Sequence, residues 1–131
     1  MRCLYREFER AGWTLSDWNP VSVEQTINET VNEIAQGVNT ASSAYDAYLT
    51  ADREFDLAYA RAYMRFDGPA HAKKYQAELD TEAERIARDA ADVAYKLADK
   101  TNKALEQKLD AIRSIGVSVR QAYQVAGRGE W

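Results

Sequence analysis

The sequence predicts an all-α protein: a long antiparallel helical hairpin with short N- and C-terminal helices, which oligomerises. Apolar residues recur at alternating spacings of four and three along much of the chain, as in an amphipathic helix. Only two prolines, Pro20 and Pro69, are present, and both stand where a helix could begin. Strand-like sequence is confined to the short segment 115–119. Together these observations favour helices throughout.

The length of 131 residues corresponds to one domain at most. We divide the chain into an N-terminal arm at 1–20, a first long helix at 21–67, a second long helix at 69–114, a short C-terminal helix at 116–126 and a tail at 127–131. Because a tight turn joins the two long helices, they should fold back on each other as an antiparallel pair.

The first long helix should begin just after Pro20. Ser22 with Gln25 three residues later forms a capping-box signature, in which each side chain satisfies a backbone amide of the first turn. The apolar positions that follow form a heptad seam, which only Asp52 interrupts. The seam consists of Ile27, Val31, Ile34, Val38, Ala41, Tyr45, Tyr48, Asp52, Phe55, Tyr59, Ala62 and Phe66.

The turn between the long helices is predicted at Asp67-Gly68-Pro69. Glycine tolerates the left-handed conformation that ends many helices, and proline suits the first turn of the next. Thr81 with Glu84 is a second capping-box match, which we interpret as a chance match or a slight kink. The apolar stripe of the second long helix comprises Tyr75, Leu79, Ala83, Ile86, Ala90, Val93, Leu97, Thr101, Leu105, Leu109 and Ile112.

The C-terminal segment predicts oligomerisation. A hairpin whose stripe is rich in alanine and tyrosine buries little apolar surface, and a neighbouring subunit would supply more. We expect Gly116 to break the second long helix and turn the chain toward that neighbour. The expected oligomer interface consists of Val117, Val119, Tyr123 and Val125.

Composition argues against several classes of function. The single cysteine, Cys3, and single histidine, His71, leave little for a disulfide framework, a zinc site or histidine-dependent catalysis. The phosphate-binding, nucleophile-elbow and metalloprotease motifs are missing. We therefore expect no enzymatic activity, no cofactor and no metal. The N-terminus lacks the apolar core of a signal peptide, and no run approaches the roughly 18 apolar residues of a membrane span. A soluble, cytoplasmic protein without a membrane partner is expected.

Charge is unevenly distributed along a chain whose net charge is −4. No basic residue lies between Val21 and Asp52, whereas basic residues outnumber acidic ones from Lys96 to Arg120. One interpretation is a solvated face with ion pairs along the helices. The other is a groove for a nucleic-acid backbone, built when several subunits align their basic patches. The candidate single-stranded-DNA-binding residues are Arg61, Arg65, Lys96, Lys100, Lys103, Arg113 and Arg120.

The N-terminal arm and the seam tyrosines allow similar alternatives. Arg2, Arg6 and Arg10 share a helical face, and Trp13 and Trp18 follow. Arginines beside aromatic rings suit stacking on single strands, but an amphipathic arm that packs on the bundle or a partner is the simpler interpretation. The tyrosines of the first seam are likewise better placed for a core or interface than for base stacking.

Residues Leu109 to Arg120, LDAIRSIGVSVR, resemble the C-terminal segment of the UvsY family of phage recombination mediators. The family pattern Leu-Asp-Ala-Ile-Lys-Ser-Arg-Gly-Phe-Ala-Ile-Lys is similar in its first four residues, in Ser114 and Gly116, and in the basic character of Arg113 and Arg120. Ile115 departs from it, since the family has a basic residue there. A weaker similarity lies before the turn, where the family has Leu-Lys-Ala-Arg-Leu and this chain has Ala58-Tyr59-Ala60-Arg61-Ala62.

The resemblance implies a function in binding rather than catalysis. Proteins similar to UvsY form ring-like oligomers, bind single-stranded DNA and help a RecA-like recombinase displace the single-strand-binding protein. By the resemblance, Arg61 carries part of the DNA contact, with Arg65 as a substitute for the lysine that Tyr59 replaces. The alternative is a phage structural or assembly-chaperone coiled coil that does not bind nucleic acid. A phage-encoded protein of either kind would act in the host cytoplasm.

Overall fold

In a computed structural model, residues 18–128 are described, and they are almost entirely helical. Helix α1 spans Pro20–Arg65, α2 spans Ala70–Asp80 and α3 spans Glu82–Arg128. The predicted all-α class is therefore confirmed for this part of the chain. The N-terminal arm, apart from its last residues, and the end of the tail lie outside the described residues. The chain divides into two compact units. Unit 1 includes residues 18–36 and 102–128, and unit 2 spans residues 37–101.

Helix α1 begins at Pro20, one residue before the predicted start, and its capping box lies three residues earlier than the predicted one. The side-chain Oδ1 of Asn19 accepts hydrogen bonds from the backbone amides of Val21 and Ser22, both at 3.0 Å. In return, Ser22 Oγ accepts one from the Asn19 amide at 2.9 Å. The capping pair is therefore Asn19 with Ser22, with Pro20 at the first helical position, where its missing amide costs nothing. The prediction that pairs Ser22 with Gln25 is wrong.

The turn after α1 lies where the sequence predicts it, but its glycine has a different role. Gly68 does not adopt the left-handed conformation; instead, a Cβ at this position would lie 2.7 Å from the Phe66 ring. Its lack of a side chain therefore makes room for Phe66. Pro69 is the N-cap of α2, where its carbonyl accepts a hydrogen bond from the Ala72 amide at 3.0 Å.

The predicted single helix at 69–114 is two helices, because Thr81 separates α2 from α3. Thr81 Oγ1 donates to the Ala77 carbonyl at 2.6 Å, so the side chain bonds back to the preceding turn and does not cap the next one. Backbone hydrogen bonds still cross the junction, from Thr81 to Ala77 and from Arg85 to Thr81. Of the two interpretations of Thr81, a chance match or a slight kink, the break between α2 and α3 favours the kink.

Gly116 does not break the last helix, contrary to prediction. Helix α3 runs through it to Arg128, so the separate helix expected at 116–126 is incorrect, and the two described residues of the tail expected at 127–131 are helical. Gly116 is buried, and a Cβ at this position would lie 2.9 Å from Val23 Cγ1. The glycine permits close approach of α1 and α3, which offsets its low helix propensity.

Unit 1 holds the larger apolar core. Trp18, Val23 and Ile112 are buried together, and Ile112 is fully enclosed. Three half-buried residues pack against them: Ile27, Ile115 and Val119. Thr30 is also fully buried, and its hydroxyl donates to the Thr26 carbonyl at 2.7 Å, which satisfies its polar group. This core fixes α1 against the second half of α3.

In unit 2, α1 and α3 meet through aromatic rings and charged groups. The Tyr95 ring centroid lies 4.9 Å from that of Tyr45 and 6.4 Å from that of Tyr48. The Arg88 guanidinium lies 4.4 Å from the Phe55 ring centroid, and one of its nitrogens lies 3.9 Å from Asp52. Asp52, the acidic residue that interrupts the predicted seam, is thus paired with Arg88.

The predicted apolar stripe of the second long helix faces away from α1 in unit 2, whereas its last positions, Leu105, Leu109 and Ile112, are buried or half-buried in unit 1. Leu79, Ile86, Val93 and Leu97 are all 59–69% exposed, as is Tyr75. The stripe turns inward only in unit 1, where Ile112 is buried. In unit 2 the side of α3 that faces α1 carries residues such as Arg88 and Tyr95, and the aliphatic residues point away. The first seam is more accurate, since most of its positions are at least half-buried.

Replacing Gly116 with alanine tests the close approach. We expect Gly116→Ala to lower the free energy of unfolding by about 1 kcal/mol, because overpacking costs about 1–3 kcal/mol and helix propensity returns about 1. Thermal and urea unfolding measure it. Gly127→Ala is the control, since a Cβ there meets nothing within 4 Å. If both alanines stabilise equally, Gly116 is not a packing constraint.

Replacing Arg88 tests the contacts of unit 2. We expect Arg88→Ala to lower the free energy of unfolding by about 1–2 kcal/mol, through loss of a cation–π contact and an ion pair. Arg88→Lys should recover part of this loss. Arg85→Ala, an exposed arginine one turn earlier, should change stability by less than about 0.5 kcal/mol. Equal effects of the two alanine variants in urea unfolding would contradict the assignment.

Candidate nucleic-acid interface

The seven predicted DNA-binding residues are all exposed, but they are divided between the two units. Unit 2 carries Arg61, Arg65, Lys96 and Lys100, and unit 1 carries Lys103, Arg113 and Arg120.

Four of these cations already have partners within the chain, Lys103 and the three whose contacts follow. Lys96 Nζ donates to Asp92 at 2.9 Å, and this hydrogen bond, with the charge of the carboxylate, raises the pKa of the lysine. Arg113 lies 4.0 Å from Asp110, and Arg120 Nε donates to the Gly116 carbonyl at 3.4 Å. These contacts are exposed and long in two of the three cases, so each contributes little to stability. Lys96 is the most firmly engaged.

Arg61 and Arg65 form the most favourable cationic pair. They are four residues apart in the last turns of α1, so both side chains leave the same face of the helix, next to the 66–69 turn. Both are exposed, and Ala62 between them is buried. The buried alanine anchors this end of α1 while the guanidinium groups extend into solvent. Such a pair can donate several hydrogen bonds to adjacent phosphates.

A second cationic group near the same turn was missed by the sequence reasoning. Lys73 Nζ lies 5.5 Å from the centroid of the Tyr63 ring, and Tyr59 stacks on Tyr63 at 6.3 Å. His71 and Lys74 are exposed beside them on α2. The cue in the sequence is the run Ala70-His71-Ala72-Lys73-Lys74, directly after the turn.

Tyr63 does not share a face with the arginine pair. At about 100° per residue, its side chain leaves α1 on nearly the opposite side from Arg61 and Arg65. Tyr63 is 38% exposed and Tyr45 is 45% exposed, and both rings contact another tyrosine, Tyr63 with Tyr59 and Tyr45 with Tyr95. The structure therefore provides an arginine face and a tyrosine–lysine face at one end of unit 2. The seam tyrosines Tyr45, Tyr48 and Tyr59 each pack against another tyrosine ring.

The predicted oligomer interface is only partly available. Val119 packs on the Trp18 cluster of its own chain, so it cannot serve as a contact for a neighbour. Val117, Tyr123 and Val125 remain 48–67% exposed. The arginines of the N-terminal arm and Trp13 lie outside the described residues, whereas Trp18 is buried in the core of unit 1.

Neither a metal centre nor a membrane span emerges from the described region. Within residues 18–128, no three His, Cys, Asp or Glu side chains are grouped to hold a metal ion. In the same region, no helix combines the length and the apolar character needed to cross a bilayer. Comparisons with family models, with curated proteins and with solved structures find no match.

Proposed function

We propose that this protein is a recombination mediator that binds single-stranded DNA as a homo-oligomer. In this proposal it assists a RecA-like recombinase in replacing a single-strand-binding protein on the strand. The observation that carries the proposal is the exposed Arg61–Arg65 face beside the turn, which repeats in every subunit. The resemblance of residues 109–120 to the UvsY family supplies the biological context.

Residues 109–120 have one side that packs in the core and another that is basic. Ile112 is fully buried and Gly116 lies against Val23, so two of the matching positions serve the core of unit 1. Arg113 and Arg120, seven residues apart, leave one face of α3 and are exposed. The segment thus combines a packing face with a basic face. A sequence pattern that combines a packing face with a basic face is less easily matched by chance than a run of basic residues.

The mechanism is one of binding, without chemistry on the DNA. Arginine guanidinium groups contact phosphates, which neutralises backbone charge and releases counterions. Exposed tyrosine, as at Tyr63, offers a flat ring on which any base can stack. Neither kind of contact distinguishes one base from another, so the oligomer holds strands with little sequence preference. A strand held in this way is presented to the recombinase as the competing protein dissociates.

The second candidate function is a coiled-coil assembly protein that does not bind nucleic acid. The outward aliphatic residues of α3 favour it, because they form a surface suited to another helix. Titration of a fluorescent single-stranded oligonucleotide at low salt distinguishes the two. Binding that weakens steeply with salt supports the mediator, and no binding at low salt supports the assembly protein.

Removing the arginine pair tests the site. We expect Arg61→Ala/Arg65→Ala to weaken single-stranded DNA binding by about tenfold for each engaged subunit, at about 0.5–1 kcal/mol for each exposed phosphate contact. The slope of log affinity against log salt should fall by about 1.4 for each engaged subunit, since each single-strand contact contributes about 0.7. Fluorescence anisotropy across a salt series measures both quantities.

The matched control removes two arginines elsewhere in unit 2. Arg53→Ala/Arg85→Ala makes the same change in net charge at exposed positions away from the turn, and it should leave the salt slope nearly unchanged. Circular dichroism should show equal helix content for both double variants. If the two variants weaken binding equally, the effect is one of net charge and the Arg61–Arg65 face is not the site.

A further inference from the structure

The aliphatic residues on the outer side of α3 form a regular stripe within unit 2. They follow the four-three spacing of a coiled-coil seam, and they continue from α2 across the Thr81 junction. The members of this outer stripe are Leu79, Ala83, Ile86, Ala90, Val93, Leu97 and Lys100, and all of them are exposed. By contrast, the buried hydrophobic residues of unit 2 are two alanines, Ala62 and Ala77. Six apolar side chains of this unit, those of the stripe other than Lys100, therefore face outward.

We propose that the outer stripe binds the same stripe of a second copy of this chain, with the two α3 helices antiparallel. This interface rests on the proposed function only in that both require the chain to self-associate. The interface itself requires no DNA. The occupant is identified by the charges that flank the stripe.

The flanking charges are complementary to themselves in the antiparallel arrangement. With Ala83, Ala90 and Leu97 at heptad position a, the preceding g positions hold Glu82, Asp89 and Lys96. Antiparallel helices bring g positions together, so Asp89 faces Lys96 of the partner subunit, and the reciprocal pair forms by symmetry. Both side chains are about 64% exposed, and each has a partner within its own chain: Asp89 lies 3.4 Å from Arg88, and Lys96 lies 2.9 Å from Asp92. Because these pairs are exposed and contribute little to stability, the same groups can also engage across the interface.

The apolar layers fit the same register. Ile86 meets Leu97 of the partner subunit, and Ala90 meets the partner subunit's Val93. The first of these layers combines two large residues, and the second combines a small residue with a larger one. Both combinations are compatible with close helix packing. Lys100 falls opposite the partner subunit's Ala83, next to Glu82 of the partner subunit, where its long chain can reach that carboxylate.

A parallel arrangement satisfies neither the layers within the stripe nor the charges that flank it. It places Lys100 directly against Lys100 of the partner subunit within the seam, which brings like charges together. It also pairs each g position with an e position, and these hold Ala87, Ala94 and Thr101. Asp89 and Lys96 then have no charged partner on the second chain. The sequence of α3 therefore selects one orientation.

Cysteine cross-linking tests the orientation directly. In a Cys3→Ser background, chains with Ile86→Cys are mixed with chains with Leu97→Cys and oxidised. We expect disulfide-linked dimers in the mixture and none from either chain alone, because antiparallel pairing separates identical positions along the axis. Dimers from each chain alone would show a parallel pair. The absence of cross-links in all three samples would show that the stripe is not a self-interface; either result overturns the proposal.

Polar substitution tests the contribution of the stripe to assembly. Val93→Gln/Leu97→Gln should raise the dimer dissociation constant at least a hundredfold by light scattering, with helix content unchanged because both side chains are exposed in the chain. Leu57→Gln/Met64→Gln is the control, since it removes two exposed apolar residues from α1. Equal dissociation by both variants contradicts the assignment.

Charge reversal gives an independent measurement. Asp89→Lys should weaken the dimer about tenfold, and Asp89→Lys/Lys96→Asp should restore most of the loss. Failure of restoration would contradict the register. These measurements contain no DNA, so their outcome is separate from that of the oligonucleotide titration: cross-linking without DNA binding contradicts the mediator function alone, and DNA binding without cross-linking contradicts the interface alone.

Discussion

The contact between α1 and α3 in unit 2 is the constraint on which the rest of the structure depends. It is made by tyrosine rings, by the arginine that lies between Phe55 and Asp52, and by small residues, with no large aliphatic side chain fully buried. Rings and ion pairs of this kind fix the register of two helices, because each requires a particular geometry. They remove less apolar surface from water than an aliphatic core of the same length. The aliphatic residues of the same helix are left on its outer side.

This arrangement has a consequence for symmetry. An antiparallel pair of α3 helices is isologous, so it closes a dimer and cannot by itself extend into a ring. A larger assembly needs a second surface. The exposed Val117, Tyr123 and Val125 in unit 1 form a separate apolar group near the end of α3, and they provide a candidate for it. Two isologous contacts of this kind would give an assembly with an even number of subunits, which is a stronger constraint than oligomerisation alone.

The sequence predicts the helical class, the turn near Gly68 and most of the first seam, because these depend on local periodicity and on proline and glycine. It misplaces the second stripe, because periodicity identifies an apolar face without specifying which neighbour covers that face. It also assigns a break to Gly116, where the structure uses the glycine for packing against Val23. Local propensity disfavours glycine within a helix, and only the position of α1 reveals the compensating contact. The candidate site is predicted in part: Arg61 and Arg65 are exposed as expected, and the Lys73–Tyr63 contact depends on the folding of the turn.

The separation of charge along α1 favours a polyanion at one end of unit 2. The helix carries no basic residue up to Asp52, and Arg53, Arg61 and Arg65 are its only ones. A phosphate backbone that runs along the first part of this helix would meet Glu33 and Asp46 without a compensating cation on α1. Near the turn it meets arginines on α1 and lysines at the start of α2. Since exposed charges more than about 8 Å apart are largely screened at physiological ionic strength, the local excess decides binding and the net charge of −4 does not prevent it. An acidic chain can therefore hold DNA, provided that assembly repeats this end and keeps the acidic part of α1 away from the strand.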